Sequence, residues 1–352
     1  MVNRLPSPTA IRGQVRRWWP RVLLIGIAFV AGALFRHVIG SLDLSQPQEF
    51  PVHGVTTRVQ TQAEVAATRT KLIRYVFGQD TLPTELPTLD SEGNYTVHMA
   101  NGFDSHVRVL RPDNQNHRII LYHAGHTAYG AGDELAVGGF LERGFTVLLF
   151  DMPLIGENAA PVTAQLPDLG LVTVSTHNEM PYLDPITDGS PIRYFVEPVV
   201  VMINQFAATS YDISMAGLSG GGWTTTLAAA LDRRIAQSYP AAGSVPLVIR
   251  FAKEDSWGDW EQIEPSLYAI ADYPDLYVLG ASGRRQLQVL NEFDPCCFSG
   301  DHRSVYEPQV KSALQSAGGG TFDVYLDTVN REHSISRAAF DVIVSDVEAR
   351  GP

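Results

Sequence analysis

Gly217-Leu218-Ser219-Gly220-Gly221 is the stretch of this 352-residue chain whose residue types and spacing point most directly to chemistry. It fits G-x-S-x-G, in which a serine sits at the tip of a tight strand-to-helix turn. Glycines two positions either side are required because a Cβ there would collide with the neighbouring strand or helix. The turn lifts the hydroxyl clear of the sheet and aims the amide of Gly220 at the place where an oxyanion would form. Small-residue turns produce the five-residue pattern by chance, so the flanks decide. Ile213-Ser214-Met215-Ala216 before it reads as a β-strand, and Trp223–Leu231 after it reads as a buried helix of small residues.

A serine hydroxyl is a weak nucleophile near neutral pH. It needs a base, and the base needs an acid to fix its tautomer and stabilise the imidazolium. Two later strands end in suitable residues. Gln286–Leu290 runs into Asn291-Glu292-Phe293-Asp294-Pro295, and Phe322–Leu326 runs towards Asn330-Arg331-Glu332-His333-Ser334. His333 is the candidate base and Asp294 the candidate acid, with Glu292 and Asp301 as rivals for the acid. The plainer alternatives are a surface histidine before the last helix and a turn aspartate before proline. His302 follows the acid loop too soon to be the base.

The elements that must position these residues are legible from periodicity. Thr61-Gln62-Ala63-Glu64 is a capping-box pattern, and Val65, Leu72, Ile73, Val76 and Phe77 keep roughly helical spacing up to Gly78. Tyr95–Met99 and His106–Leu110 alternate like half-buried strands joined by Asn101-Gly102, with His98 and His106 on the solvent side. Arg118–Tyr122 is a continuous apolar strand, followed by a helix over Asp133–Arg143 and a second apolar strand over Phe145–Phe150. Such alternation implies a parallel sheet covered on both faces.

The chain here resembles the α/β-hydrolase superfamily. His123-Ala124-Gly125 stands where that superfamily has its H-G-x oxyanion turn, and Asp151…Gly156-Glu157-Asn158 resembles its D-x-x-G-x-G-x-S turn. The elbow at Ser219 follows in the same order, and Ser219, Asp294, His333 keeps the superfamily's Ser…Asp…His sequence. The resemblance covers about residues 95–345. Two departures stand out: Ala124 replaces the usual glycine and Asn158 a common serine. The implied fold is a mostly parallel central sheet with helices on both faces, preceded by an N-terminal hydrophobic anchor or signal segment. The implied activity is carboxylic-ester hydrolysis through an acyl-enzyme, needing no cofactor and no metal. An acyltransferase, an amidase or peptidase, or a non-catalytic binding module are the alternatives on the same fold. Gly220 supplies one oxyanion donor; the second is the Gly125 amide, with His126 the alternative. His123 otherwise braces its own loop.

Glu157–Pro191 reads as a long irregular stretch of the kind that forms lids or binding loops, as does aromatic-rich Phe251–Leu279. Within the first, His177, Asn178, Met180 and Tyr182 can face a substrate, although a loop histidine is ordinarily solvated. His126, His177 and Trp223 are the weaker substrate-contact candidates. The expected substrate is a small-molecule or acylated-saccharide ester. Helices are expected over Ile192–Ala208, Arg303–Ala317 and Arg337–Ala349, and a strand over Ala236–Tyr239.

Charge is unevenly spread over the net −12. The first forty residues hold six of the 26 basic residues (Arg4, Arg12, Arg16, Arg17, Arg21, Arg36) and no acid, leaving 38 acidic against 20 basic beyond them. A body that acidic is a poor partner for nucleic acid or an anionic membrane face. Val22–Phe35 is a run of fourteen uncharged residues. As a helix it would reach only about 21 Å of a hydrocarbon core about 30 Å thick. Trp18 and Trp19 at the interface and a snorkelling Arg36 can extend it. Uncleaved signal anchor and cleaved signal peptide both fit, the second because Ala31-Gly32-Ala33 offers a cleavage site. Residues 1–40 thus read as leader, 41–94 as linker and N-terminal helix, and 95–352 as the catalytic domain. Cys296 and Cys297 are adjacent, with Cα atoms about 3.8 Å apart, closer than the roughly 4.4–6.8 Å of ordinary disulfides. Two packed thiols are therefore expected.

With five of the six leader arginines on the N-terminal side of the apolar run, the body is expected outside the cytoplasm. Cell fractionation should recover the protein with membranes or in the exported fraction. Finding it in the cytosol with its leader intact would remove the export assignment.

Overall fold

The computed structural model describes residues 55–207, 212–252 and 257–349. The basic leader, its apolar run and residues 41–54 lie outside the described residues. Among the described residues no helix is long and apolar enough to cross a membrane.

Helix α1 (Gln62–Phe77) begins with the expected capping box: the Glu64 amide donates to Thr61 Oγ1 and the Glu64 carboxylate receives the Thr61 amide. Gly78 at φ 71° ends it, a left-handed position that suits glycine. Then come β1 (Thr88–Leu89), β2 (Tyr95–His98), β3 (Asp104–Leu110), β4 (Arg118–His123), α2 (Ala131–Glu142) and β5 (Thr146–Phe150). The hairpin β6 (Val162–Leu166) and β7 (Gly170–Val174) leads to a 3-10 run over His177–Ile186 and helix α3 (Arg193–Phe206). The elbow region is β8 (Asp212–Leu218) and α4 (Gly220–Leu231), followed by β9 (Gln237–Ala241). Four short helices come next: α5 (Leu247–Phe251), α6 (Trp260–Ile263), α7 (Pro265–Ile270) and α8 (Tyr273–Ala281). The chain finishes with β10 (Arg285–Asn291), α9 (Arg303–Leu314), β11 (Thr321–Asp327) and α10 (Arg337–Ala349).

Nine strands form one sheet in the order β1-β2-β3-β5-β4-β8-β9-β10-β11. Pairing is parallel from β5 through β11, and antiparallel at the β1–β2–β3 edge. The continuous apolar runs noted in the sequence are the central strands. In β4, Ile120 and Tyr122 join one buried cluster while Ile119 and Leu121 join another, so both faces of the sheet are covered. After β4 the chain moves one way to β5, then returns past β4 to β8. The crevice outside the carboxyl ends of β4 and β8 is thus the topological switch point, where open α/β sheets place their ligands.

The stretch 157–191 is not structureless, which corrects the sequence-based expectation. Its hairpin alternates buried and exposed positions, and its 3-10 run opens with a capping box of Thr176 and Glu179. Pro181 and Pro185, which each cost an α-helix a hydrogen bond and crowd its preceding turn, sit in the tighter turns of this run. His98 and His106 lie on the exposed face as expected, bonded to Asp104 and Thr96.

Helix α4 is buried along its whole length. Its three threonines satisfy their own hydroxyls by donating to carbonyls one turn back: Thr224 to Gly220, Thr225 to Gly221 and Thr226 to Gly222, at 2.8–3.1 Å. Its glycines permit contact at the backbone. A Cβ on Gly221 would lie 1.9 Å from the His123 carbonyl oxygen. Gly221→Ala is therefore expected to destabilise by about 1–3 kcal/mol or more through overpacking. A melting curve checks this; an unchanged midpoint would mean that the helix and β4 can part freely.

Candidate active site

Ser219 sits between β8 and α4 with φ 58° and ψ −123°, a backbone conformation that L-residues rarely adopt. Holding it there costs about 1–3 kcal/mol. The Ser219 amide donates to the Ala241 carbonyl at 2.9 Å, and its carbonyl receives the Trp223 amide at 3.0 Å, which fixes the corner from both sides. A Cβ on Gly217 would meet the Gly221 carbonyl oxygen at 2.4 Å, so this turn requires glycine, as the spacing implied.

Gly125, in the loop after β4, lies directly against this corner. A Cβ there would stand 2.8 Å from Ser219 Cβ and 3.4 Å from Ser219 Oγ. Neither the Gly125 nor the Gly220 amide donates a hydrogen bond among the described residues. Two uncommitted backbone amides thus belong to residues next to the Ser219 corner, one in the β4 loop and one at the first residue of α4. His123 behaves as the bracing reading expects: it is buried, its Nδ1–H donates to Ala124 O at 2.8 Å, and its ring stacks on Phe150. The second turn of the resemblance is also structural. Asp151 accepts the Tyr129 and Glu157 amides, and Asn158 donates to Asp151 O and accepts the His106 amide.

His333 and Asp294 meet although 39 residues separate them. His333 Nδ1 lies 2.9 Å from Asp294 Oδ2 and 3.1 Å from Oδ1. A carboxylate only accepts, so the proton is on Nδ1 and Nε2 carries the lone pair. Nε2 is buried and bonded to nothing among the described residues, Ser219 Oγ included. The His333 loop comes to the nucleophile from the α2 side: a Cβ on Gly132 would touch both the His333 carbonyl oxygen and Leu218 Cδ2 at 3.3 Å. Asp294 is 5% exposed and also accepts the Cys296 amide at 2.8 Å, so its orientation is set from two directions. Its rival Asp301 is exposed and paired with Arg303 at 2.8–2.9 Å, a contact that lowers its pKa.

Several positioning residues were not anticipated from sequence. Asn291 Nδ2 donates to the carbonyls of Glu332 and Ser334, clamping the histidine loop to the end of β10. Asp327 accepts the Val329 and Asn330 amides and the Ser336 hydroxyl, and Asn330 reaches back to Ser334 O. The signal available was the Asp-Thr-Val-Asn run after the last strand, since such residues bond their own backbone and build turns. The two expected thiols are instead a Cys296–Cys297 disulfide, Cα atoms 3.7 Å apart. It lies in the turn whose Cys296 and Cys297 amides donate to Asp294 Oδ1.

The weaker contact candidates lie in different places. His126 walls the site: a Cβ on Gly220 would meet its ring at 2.6 Å and Met152 Sδ at 2.6 Å. Its Nε2 pairs with Glu261 and Asp259. Burial lowers its pKa, but the hydrogen bond to Glu261 and the two carboxylate charges outweigh that and leave it raised. His177 is not solvated, as a loop histidine would be; it is 6% exposed, donates to Pro153 O at 2.7 Å, and burial lowers its pKa. Trp223 is wholly buried, its indole N–H donating to the Tyr268 hydroxyl at 2.8 Å.

No protein-family model matches the sequence, and no curated protein does. Solved structures do match. The methylesterase BT1017 is similar at 14% identity and TM-score 0.58, over 82% of this chain and 63% of that one. The chain thus spans less than two thirds of that methylesterase's length. An acetyl xylan esterase from a Paenibacillus species is similar at 17% identity and TM-score 0.53, over 88% of this chain and 99% of the other. Acetyl xylan esterase 1 from a Thermoanaerobacterium species gives 15% and 0.51, over 88% and 99%. Sheet order, elbow and these likenesses define one fold, that of the α/β-hydrolase superfamily.

Burial lowers the His123 pKa from 6.5 to about 4, so the folded chain keeps this ring neutral where the unfolded chain protonates it. Its contribution is complete above the unfolded value and is lost as pH falls through the folded one, on the order of 3 kcal/mol. The melting temperature should fall between pH 6.5 and 4, and His123→Asn should flatten that slope. An identical slope in the variant would remove His123 as its source.

Proposed function

We propose that this protein is a serine hydrolase that cleaves carboxylic esters. One observation carries the reading: a strained serine at the switch point shares the carboxyl edge of the sheet with a His333–Asp294 pair, its carboxylate buried and its Nε2 uncommitted. His333 Nε2 would take the Ser219 proton as Oγ attacks the acyl carbon. The Gly220 and Gly125 amides would hold the tetrahedral oxyanion, and Asp294 would stabilise the imidazolium. The imidazolium then protonates the departing alcohol, and water, activated by the same ring, releases the acid. Segments 157–191 and 251–279 would cap the crevice, since His126 and Glu261 link the second of them to its wall. The methylesterase and acetyl xylan esterase likenesses favour small esters, including acylated saccharides, as substrates.

A fluorophosphonate probe should label the wild type and not Ser219→Ala. Labelling of neither would leave a binding module. Free acid as product supports the hydrolase, whereas an acyl-acceptor adduct would make the protein a transferase.

Asp294→Ala should lower kcat on the order of 10³–10⁴-fold by releasing the histidine tautomer, and Asp301→Ala should leave it nearly unchanged. Equal losses in the two variants would overturn the assignment of the acid.

A further inference from the structure

Four side chains from three segments converge beside Gly220 without belonging to the Ser219, His333 and Asp294 arrangement. His126 comes from the loop after β4, His177 from the 3-10 run, and Asp259 and Glu261 from the start of α6. His126 Nε2 lies 2.8 Å from Glu261 Oε1 and 3.0 Å from Asp259 Oδ2. One donor atom each from His126, His177 and Glu261 falls within 4.8 Å of the others. The two imidazole rings stand 5.3 Å apart.

Two further observations distinguish this cluster from an ordinary ion pair. Glu261 is fully buried, yet its Oε2 has no hydrogen-bond partner among the described residues. A bare carboxylate oxygen out of water is costly unless a cation or donor meets it. His177 donates Nε2–H to the Pro153 carbonyl, which fixes its tautomer and leaves Nδ1 with its lone pair. A backbone carbonyl that holds one ring nitrogen while the other stays a free base is the usual way a metal-binding histidine is oriented.

We propose that His126, His177 and Glu261, with Asp259 as fourth ligand, bind a zinc-class divalent cation. Two imidazoles and two carboxylates form a four-coordinate set that suits zinc, whereas magnesium and calcium prefer all-oxygen cages of six or more. Bonds of about 2.0–2.2 Å in a tetrahedron separate ligand atoms by roughly 3.3–3.6 Å. The His126 separations of 2.8 and 3.0 Å therefore need to open by about half an ångström, while His177, whose donor atom lies within 4.8 Å of those of His126 and Glu261, closes on them. The cation would replace the proton that His126 shares with the two carboxylates. It would pin residues 257–263 to both the β4 loop and the 3-10 run, next to the Gly220 amide. This site stands independently of the ester-hydrolase reading.

The test uses the full chain, tag-free and in detergent, stripped with a chelator. It is titrated with zinc chloride by calorimetry, and bound metal is counted after gel filtration. One zinc per chain is expected in the wild type and in His333→Ala, with binding roughly tenfold or more weaker in His177→Gln and Glu261→Gln. Magnesium and calcium should give no heat of binding. The proposal is overturned if the wild type holds no stoichiometric zinc, if both site variants hold it unchanged, or if only His333→Ala loses it. Should a variant fail to fold by circular dichroism, the zinc X-ray absorption spectrum of the wild type decides. Scattering from two imidazoles supports the site; a sulfur shell or a single imidazole refutes it.

Discussion

Backbone meeting backbone at the carboxyl edge of the sheet is the constraint on which the rest depends. A Cβ on Gly221 would press on the His123 carbonyl, one on Gly222 would come within 2.5 Å of Ala241 O, and one on Gly243 within 2.4 Å of the Gly222 carbonyl carbon. Without side chains at these points, α4 sits directly on the ends of β4, β8 and β9. The serine between strand and helix then has little choice but a positive φ. Burying an entire helix of glycine, threonine and alanine offsets the local strain, and the threonine hydroxyls avoid a desolvation cost by bonding within the helix.

The histidine and its carboxylate are held by a different principle. Polar loops orient them, with the Gly132 contact as the close approach. Asn291 and Asp327 stand at the last positions of neighbouring parallel strands, paired in register, and each sends its side chain into the loop that carries His333. The Cys296 amide and the imidazole meet Asp294 from two directions. Two atoms of this network stay unpaired among the described residues, Asn291 Oδ1 and His333 Nε2, and a buried unpaired atom carries a desolvation cost.

A third wall joins distant parts of the chain. Phe195 packs edge-on against His177, Trp223 and Trp260, so one ring of α3 touches the 3-10 run, the nucleophile helix and α6. A hydrogen-bond chain runs beneath it from Trp223 to Tyr268 to Tyr273 and on to the Gln262 carbonyl. Trp223 thereby serves as an anchor for the 260–273 region, a sufficient reason for so large a residue in a helix of small ones. The same region brings Glu261 to His126.

Local rules determined what could be read from the sequence alone. The capping box at Thr61, the apolar runs of β4 and β5, the glycine spacing around Ser219 and the strand ends carrying Asp294 and His333 each depend on a few neighbouring residues, and each reappears in the structure. The hairpin within 157–191 was equally local, but its prolines masked a short alternating pattern. Other features depended on where loops travel. Asp301 and Asp294 look alike in sequence; only the path of the chain pairs one with nearby Arg303 and sets the other against His333. The burial of His177 and the meeting of His126 with Glu261, 135 residues away, were likewise decided by tertiary structure. Periodicity and turn chemistry describe which face a residue takes, whereas contacts across such separations arise only once the sheet has gathered its strand ends on one edge.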